Sequence, residues 1–126
     1  MNKESNYREI LSERLLEFAC LVIKLDKELC DTYTGKHIYS QLFRSASSSG
    51  ANYQESIAAE SKADFIHKIQ VVLKELRESN YWIKLIIKTN VIHTNNSTTD
   101  FLFKESNELI KIFSSTLITL KTEQGK

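Results

Sequence analysis

The chain has 126 residues, a formal net charge of +1, no proline and three glycines. This length fits one domain, residues 1–126, with a sizeable core, and the near-zero charge neither indicates nor excludes a polyanionic partner. The scarcity of proline and glycine argues against a sheet with many turns and favours long helices.

The cysteines and the first residues address cellular location. Cys20 and Cys30 lie on one predicted helix, about 15 Å apart along its axis, which is too far for a disulfide between them. Free thiols are typical of a reducing compartment. The opening residues, MNKESNYREI, contain no apolar signal segment, and no apolar run approaches the roughly 20 residues of a membrane span. We therefore expect a cytoplasmic protein without a membrane partner.

The first predicted helix covers about residues 5–29. One face carries apolar residues at alternating steps of four and three, the spacing of a helix packed against other helices: Leu11, Leu15, Phe18, Val22, Leu25 and Leu29. A second apolar row, Leu16, Cys20 and Ile23, lies roughly opposite. Because a helix of a monomeric bundle needs one buried face, this row predicts contact with another subunit. The alternative is a broad core face with a few exposed apolar side chains.

A short connection leads to a second predicted helix, at about residues 36–60. Within the connection, DTYTGK, Gly35 is the residue most able to adopt a left-handed conformation. A link this short makes the two helices antiparallel neighbours. The predicted inward face contains Ile38, Leu42, Ala46, Ser49, Tyr53 and Ile57. The central segment, SASSSGA, has low helix propensity, which predicts close approach of a neighbouring helix.

The third and fourth helices are predicted at about residues 61–88 and 98–121. Each follows a potential capping box, Ser61 with Asp64 and Ser97 with Asp100. The inward face of the third helix is Phe65, Ile69, Val72, Leu76, Ser79, Ile83 and Ile86. That of the fourth is Leu102, Ser106, Leu109, Phe113, Thr116 and Leu120. Four amphipathic helices with mostly short links predict an all-α fold, an antiparallel up-down-up-down four-helix bundle.

The outward face of the third helix carries cations and one aromatic residue. Its residues, here called the basic stripe, are Lys74, Arg77, Tyr81, Lys84 and Lys88, and no carboxylate lies among them. Across residues 61–88, six Lys and Arg oppose three Asp and Glu, a local net charge of +3. Spaced cations on one helix suit a phosphate backbone, and a tyrosine can stack on a base. The alternative is an ordinary solvated helix face.

Four polar residues lie near the inward faces of the second and third helices. Asn52 and Glu55 share a helix face, Arg44 lies two turns earlier, and Asp64 follows the next helix start. Half-buried polar groups must find partners, so these residues predict a structural hydrogen-bond network that extends to Ser48 or the Asp64 cap. A catalytic role would need a nucleophile and a pocket, and the sequence indicates neither.

Metal and catalytic sites find little support in the sequence. Di-iron bundles repeat a Glu-x-x-His pattern, whereas this chain has a single Asp64-x-x-His67. The other histidines, His37 and His93, are scattered, and all three are interpreted as surface residues. No arginine is followed by histidine at the spacing of helical ribonucleases, and there is no phosphate-binding glycine loop. We expect no catalytic residues, no metal and no cofactor.

The segment between Arg44 and Trp82 carries a family resemblance. Its matching parts are RSASSSGANYQE, AESK, DFIHKI and VLKE, followed by Glu78 and Tyr81-Trp82. With these residues the chain resembles the small four-helix-bundle proteins encoded by intervening sequences of bacterial 23S ribosomal RNA genes. The resemblance implies an antiparallel bundle that assembles into a closed ring of five and has no known catalytic activity.

The same resemblance extends in fold to the accessory variability determinant of diversity-generating retroelements. That relative forms a basic ring that binds nucleic acid and a reverse transcriptase, whereas this chain is nearly neutral. We expect a non-enzymatic homo-oligomer, a pentameric ring, that offers a surface to RNA, to DNA or to a nucleic-acid-processing protein. The alternatives are a metal-dependent or nuclease-type bundle enzyme and a purely protein–protein assembly module.

Overall fold

The computed structural model describes residues 3–92 and 96–124, and every secondary-structure element in these residues is an α-helix. The helices are α1 (Lys3–Ile23), α2 (Asp26–Leu29), α3 (Tyr33–Ile57), α4 (Lys62–Thr89) and α5 (Ser97–Gln124). The first predicted helix corresponds to α1 with α2, and the second, third and fourth to α3, α4 and α5. The described residues contain no strand, so the all-α class is confirmed.

The four long helices pack in the cyclic order α1, α3, α4, α5. The most extensive contact joins α3 to α4, and the least extensive joins α1 to α5. Ser45 bonds Ser79 and Glu55 pairs with Lys68, so residue numbers rise along α3 as they fall along α4. At the α1–α5 contact Arg14 donates to Glu105 at 2.6 Å, and this hydrogen bond raises the pKa of Arg14. The predicted antiparallel four-helix bundle is therefore confirmed.

The inward faces deduced from residue spacing form the core, with a few exceptions. All six predicted positions in the first helix and all of those in α4 except the half-buried Phe65 are buried. The prediction was wrong for Ile57, which is 40% exposed. In α5, Thr116 and Leu120 are only half-buried, whereas Leu117 is buried. These exceptions lie in the C-terminal parts of α3 and α5, where the spacing predicts burial less well than in the middle of a helix.

The predicted helix 5–29 is divided near Lys24. The Leu25 amide bonds the Val22 carbonyl, a tighter three-residue step, before α2 begins at Asp26. No proline or glycine marks this break. Val22, Leu25 and Leu29 remain buried through it, so the apolar spacing continues while the hydrogen-bond ladder does not.

Gly35 plays a different part from the one predicted. It lies in the first turn of α3, where its amide bonds the side chain of the N-cap residue Thr32, and no described glycine has positive φ. A Cβ atom at Gly35 would lie 1.7 Å from the Leu29 carbonyl oxygen. The glycine is needed because the backbone of α2 passes against it. Among the residues that the structure describes, the left-handed one is Asn90, with φ of 54°, at the end of α4.

The helix starts confirm one predicted cap and correct the other. The Ser61 side chain accepts a hydrogen bond from the Asp64 amide at 3.0 Å, as the capping box predicts. At α5 the Thr99 amide bonds the Asn96 side chain at 3.0 Å. Asn96, rather than Ser97, therefore caps this helix. Asparagine and serine are about equally favoured at an N-cap, so the residue types alone do not decide between them.

The small residues of α3 face its neighbours, as predicted. Ser45, Ala46 and Ser49 are fully buried, and the Ser45 hydroxyl lies 2.7 Å from that of Ser79 in α4. Ser45 and Ser49 each also donate a hydrogen bond to a carbonyl of their own helix. Gly50 faces α1, where an added Cβ would meet Leu15 at an ordinary 3.6 Å. Close packing is therefore concentrated between α3 and α4.

Candidate nucleic-acid interface

The basic stripe follows the outer face of α4. The inward face of this helix is fixed by its buried apolar residues, so the residues offset from it by about half a turn point to solvent. All five members of the stripe are exposed. Lys74 and Lys88 are separated by about 21 Å at the helical rise. The stripe is therefore one continuous exposed row along the C-terminal half of α4.

The cations of the basic stripe have no anionic partner among the described residues. No described carboxylate lies within 4 Å of Lys74, Arg77, Lys84 or Lys88, whereas Lys68 of the same helix pairs with Glu55 at 3.2 Å. Four positive charges thus face solvent, the arrangement that attracts a phosphate backbone.

Tyr81 lies at the centre of the basic stripe with an exposed ring. It is 58% exposed, and its ring meets that of Trp82 edge-on with centroids 5.1 Å apart. Trp82 is in turn held by a hydrogen bond from its indole nitrogen to Glu78 at 3.3 Å and by an edge contact with His37. The exposed tyrosine ring is therefore available to a base, beside a tryptophan that is itself held in place.

Two carboxylates of α4, those of Glu75 and Glu78, face α3 rather than the basic stripe. Arg44 donates to Glu75 at 3.1 Å and also to Glu78. The hydrogen bond to Glu78 is the main reason why the pKa of Arg44 is raised, so the guanidinium stays charged. The side chain of Glu75 is only 8% exposed. The negative charges of these two residues are thus neutralised on the flank toward α3, away from the stripe.

A groove between α4 and α5 adjoins the stripe at its N-terminal end. Here called the α4/α5 groove, it has a volume of about 400 Å³ and is lined by Gln70, Leu73, Lys74, Arg77, Ser114, Leu117, Ile118 and Lys121. The spacing of residues in the sequence indicates neither Ile118 nor Lys121 as a site residue. Lys121 was visible as a cation at the end of an amphipathic helix, but only the packing of α5 beside α4 places it near Arg77.

The four residues of the predicted polar network do not meet. Arg44 bonds Glu75 and Glu78, whereas Glu55 bonds Lys68. Asn52 bonds the carbonyl and hydroxyl of Ser48, the one predicted partner that is present, and the Asp64 amide bonds Ser61. Instead of a single network, these residues make separate contacts, because their partners come from neighbouring helices and turns.

The apolar row Leu16, Cys20 and Ile23 is exposed on α1. Leu16 is 57% exposed and Ile23 is 49% exposed. Leu16 also lines a groove, here called the α1/α3 groove, of about 470 Å³. The groove is formed by Ser12, Glu13, Leu15, Leu16, Ala19, Ser47, Gly50, Ala51 and Gln54. Its lining consists mainly of small or apolar side chains, and one of them is acidic.

The parts of the chain that the structure describes contain no group of three potential metal ligands. His67 is exposed on α4, and His37 touches Trp82. His93 lies outside the described residues.

Cys20 and Cys30 are free thiols, and the Cys30 thiol donates to Asp26 at 2.9 Å, which raises its pKa. None of the described helices is long and apolar enough to span a membrane.

Comparisons with known proteins agree with this architecture. The chain is similar to a crystallised protein of unknown function from the S23 ribosomal protein family of Bacteroides thetaiotaomicron VPI-5482, with 32% identity and a TM-score of 0.76. The match covers 87% of this chain and 96% of that one. No curated protein matches the sequence. The family described as 23S rRNA-intervening sequence protein matches residues 10–115, and the chain belongs to this family.

Proposed function

We propose that this protein is a non-enzymatic, self-assembling scaffold that binds RNA or DNA through the basic stripe of α4. The observation that carries the proposal is the contrast among cations: those of the stripe face solvent without a described carboxylate, while Lys68 and Arg44 nearby are paired. Phosphates supply the missing negative charge and release counterions, so binding weakens as salt rises.

The proposed subunit interface consists of the α1/α3 groove and the apolar row beside it. Contiguous exposed apolar surface usually marks an interface, and here Leu16 belongs to both features. We take the assembly to be a closed ring of five, as the family resemblance implies. Each ring then repeats the basic stripe five times, which raises the local potential and the effective concentration of binding sites. The free thiols fit action in the cytoplasm.

Binding is tested by fluorescence anisotropy with labelled RNA and DNA oligonucleotides at several salt concentrations. The double variant Lys74→Glu with Lys84→Glu should abolish binding, because it reverses two charges of the stripe. The matched control, Lys62→Glu with Lys68→Glu, makes the same charge change at two paired cations of α4. Equal losses in the two variants would contradict binding at the stripe, and undiminished binding in both would place the site elsewhere.

Assembly is tested by light scattering and analytical ultracentrifugation. Cys20→Glu introduces a charge into the apolar row and should lower the mass to that of a monomer. Ser40→Glu, at an exposed position of α3, is the matched control and should leave the mass unchanged. An unchanged mass with Cys20→Glu would remove the row from the interface. A single-chain mass for the unaltered protein at all concentrations would refute assembly itself.

Two alternative functions are separated by the same preparations. An enzyme of the metal-dependent or nuclease type would contain bound metal, or would degrade the oligonucleotides with or without divalent ions. A purely protein–protein module would assemble normally and bind neither RNA nor DNA. Metal analysis, a nuclease assay and the binding experiment therefore distinguish all three functions.

A further inference from the structure

The α4/α5 groove is lined by both apolar and cationic side chains. The apolar ones are Leu73 and Leu117, which are buried, and Ile118, which is 68% exposed. The cationic ones are Lys74, Arg77 and Lys121. Among the described residues that line the groove, none is acidic. Its volume of about 400 Å³ is within the range of small-ligand pockets.

This combination fits a ligand with an apolar body and negative charge beside it. A nucleotide of a single strand has both, because its base face is free and its phosphates flank it. A duplex offers the phosphates but keeps its base faces stacked inside. The groove is therefore complementary to unpaired nucleic acid rather than to any polyanion.

The position of the groove favours nucleic acid over an acidic peptide. Lys74 and Arg77 belong to both the groove and the basic stripe, which continues through Tyr81 to Lys88. The cations recur along about 21 Å of helix, well beyond the groove. A chain of regularly repeated phosphates can engage this whole row, with one base in the groove and another on Tyr81.

We propose that the α4/α5 groove is a base subsite, which holds an unstacked nucleobase of single-stranded RNA or DNA against Ile118. Lys74, Arg77 and Lys121 bind the adjoining phosphates. This inference rests on the proposed function, since it specifies which form of nucleic acid the stripe binds.

The test uses three labelled DNA probes of equal length: a single strand with bases, a strand of abasic residues, and a duplex. The abasic strand keeps the phosphates and lacks only the base faces. The unaltered protein should bind the base-bearing strand about tenfold more tightly than the abasic one, because only the former can stack bases in the groove and on Tyr81. It should also prefer the single strand to the duplex.

Two isoleucine variants separate the groove from general apolar surface. Ile118→Ser should lower the preference for the base-bearing strand at least about threefold, leaving the part that Tyr81 supplies. Ile10→Ser, at a 55% exposed position of α1, should leave the preference unchanged. Because both side chains are exposed, neither variant removes core packing, and thermal melting verifies the fold.

The possible failures are distinct. Equal affinity for the base-bearing and abasic strands, or an unchanged preference in Ile118→Ser, overturns the base subsite but leaves the basic stripe as a polyanion site. Competition by an acidic peptide of equal charge, as effective as that by the base-bearing strand, also overturns it. Failure of all three DNA probes and of the matching RNA strand to bind refutes the proposed function itself.

Discussion

The two flanks of α4 use charge in different ways. On the flank toward α3, Arg44 bonds both Glu75 and Glu78. On the outer flank, Arg77 and the three lysines of the basic stripe have no described carboxylate within 4 Å. The first flank joins two helices, and the second is available to a ligand. The use of a charge is therefore indicated by whether it is paired, rather than by its presence on a helix.

Burial explains why the charges on the flank toward α3, here called the inner flank, must be paired. The Glu75 side chain is 8% exposed, and a carboxylate removed from water is costly unless a cation or hydrogen-bond donor compensates it. The exposed cations of the outer flank stay solvated, so they require no partner for folding. A ligand can therefore bind there without disrupting any ion pair of the bundle.

The largest expected effect is on stability, at the contact between α3 and α4 beside the inner flank. Ser79→Leu places a large side chain where Ser79 is fully buried against Ser45, and overpacking should lower the free energy of unfolding by about 2–3 kcal/mol. Tyr81→Leu, two residues away on the outer flank, should change it by less than about 0.5 kcal/mol. Urea denaturation at fixed protein concentration measures both values, and similar losses would remove the distinction between the flanks.

The next largest effects come from replacing Arg44 or Arg77 by alanine. The first change should lower stability, and the second should weaken binding. Arg44→Ala leaves Glu75 buried without its cation and should cost about 1–2 kcal/mol of unfolding free energy, moderated by the half-exposed position of Arg44. Its affinity for nucleic acid should stay within about twofold of the unaltered protein, since no stripe contact is lost. Arg77→Ala should leave stability nearly unchanged and weaken binding about tenfold. Weaker binding by Arg44→Ala at full folding would show that the inner flank also contacts the ligand.

Much of this comparison could be predicted from sequence, because a helix has only one periodicity. Once Ile69, Val72 and Leu76 were placed inward by their spacing, Lys74 and Arg77 had to lie outward. The up-down-up-down order followed from short links in the same way. Such inferences need only neighbouring residues, and they were reliable where the helix has packing partners on its inward side.

The partners of the polar residues could not be predicted, because they come from other helices. Arg44 was placed in a network with Asn52, whereas its carboxylates lie 31 and 34 positions away. The α4/α5 groove needs the relative rotation of two helices, so Ile118 was missed. The break near Lys24 was missed because the apolar spacing continues across it. Gly35 was misassigned because its reason, the approach of the Leu29 carbonyl, is not local.

Salt dependence gives a smaller but sharper measure of the outer flank. Each phosphate contact that is lost should reduce the slope of log affinity against log salt by about 0.7–0.9. Arg77→Gln and Lys84→Gln should therefore each lower the magnitude of the slope by nearly one, and the double variant by nearly two. Titrations at four salt concentrations measure these slopes. A slope that neither variant changes would mean that these two side chains stay solvated in the complex.

The smallest effects come from two lysines of α4 that differ in pairing and in position on the helix. Lys68→Gln breaks an exposed ion pair with Glu55, and such pairs contribute only about 0–1 kcal/mol, so stability should hardly change. Its binding should also be unaffected, because Lys68 lies outside the stripe. Lys74→Gln removes the same charge from the same helix, should be equally harmless to stability, and should weaken binding about fivefold to tenfold. Charge, residue type and helix are matched in the two variants, so a difference in their affinities would result from position and pairing. Equal affinities would mean that nucleic acid responds only to net charge.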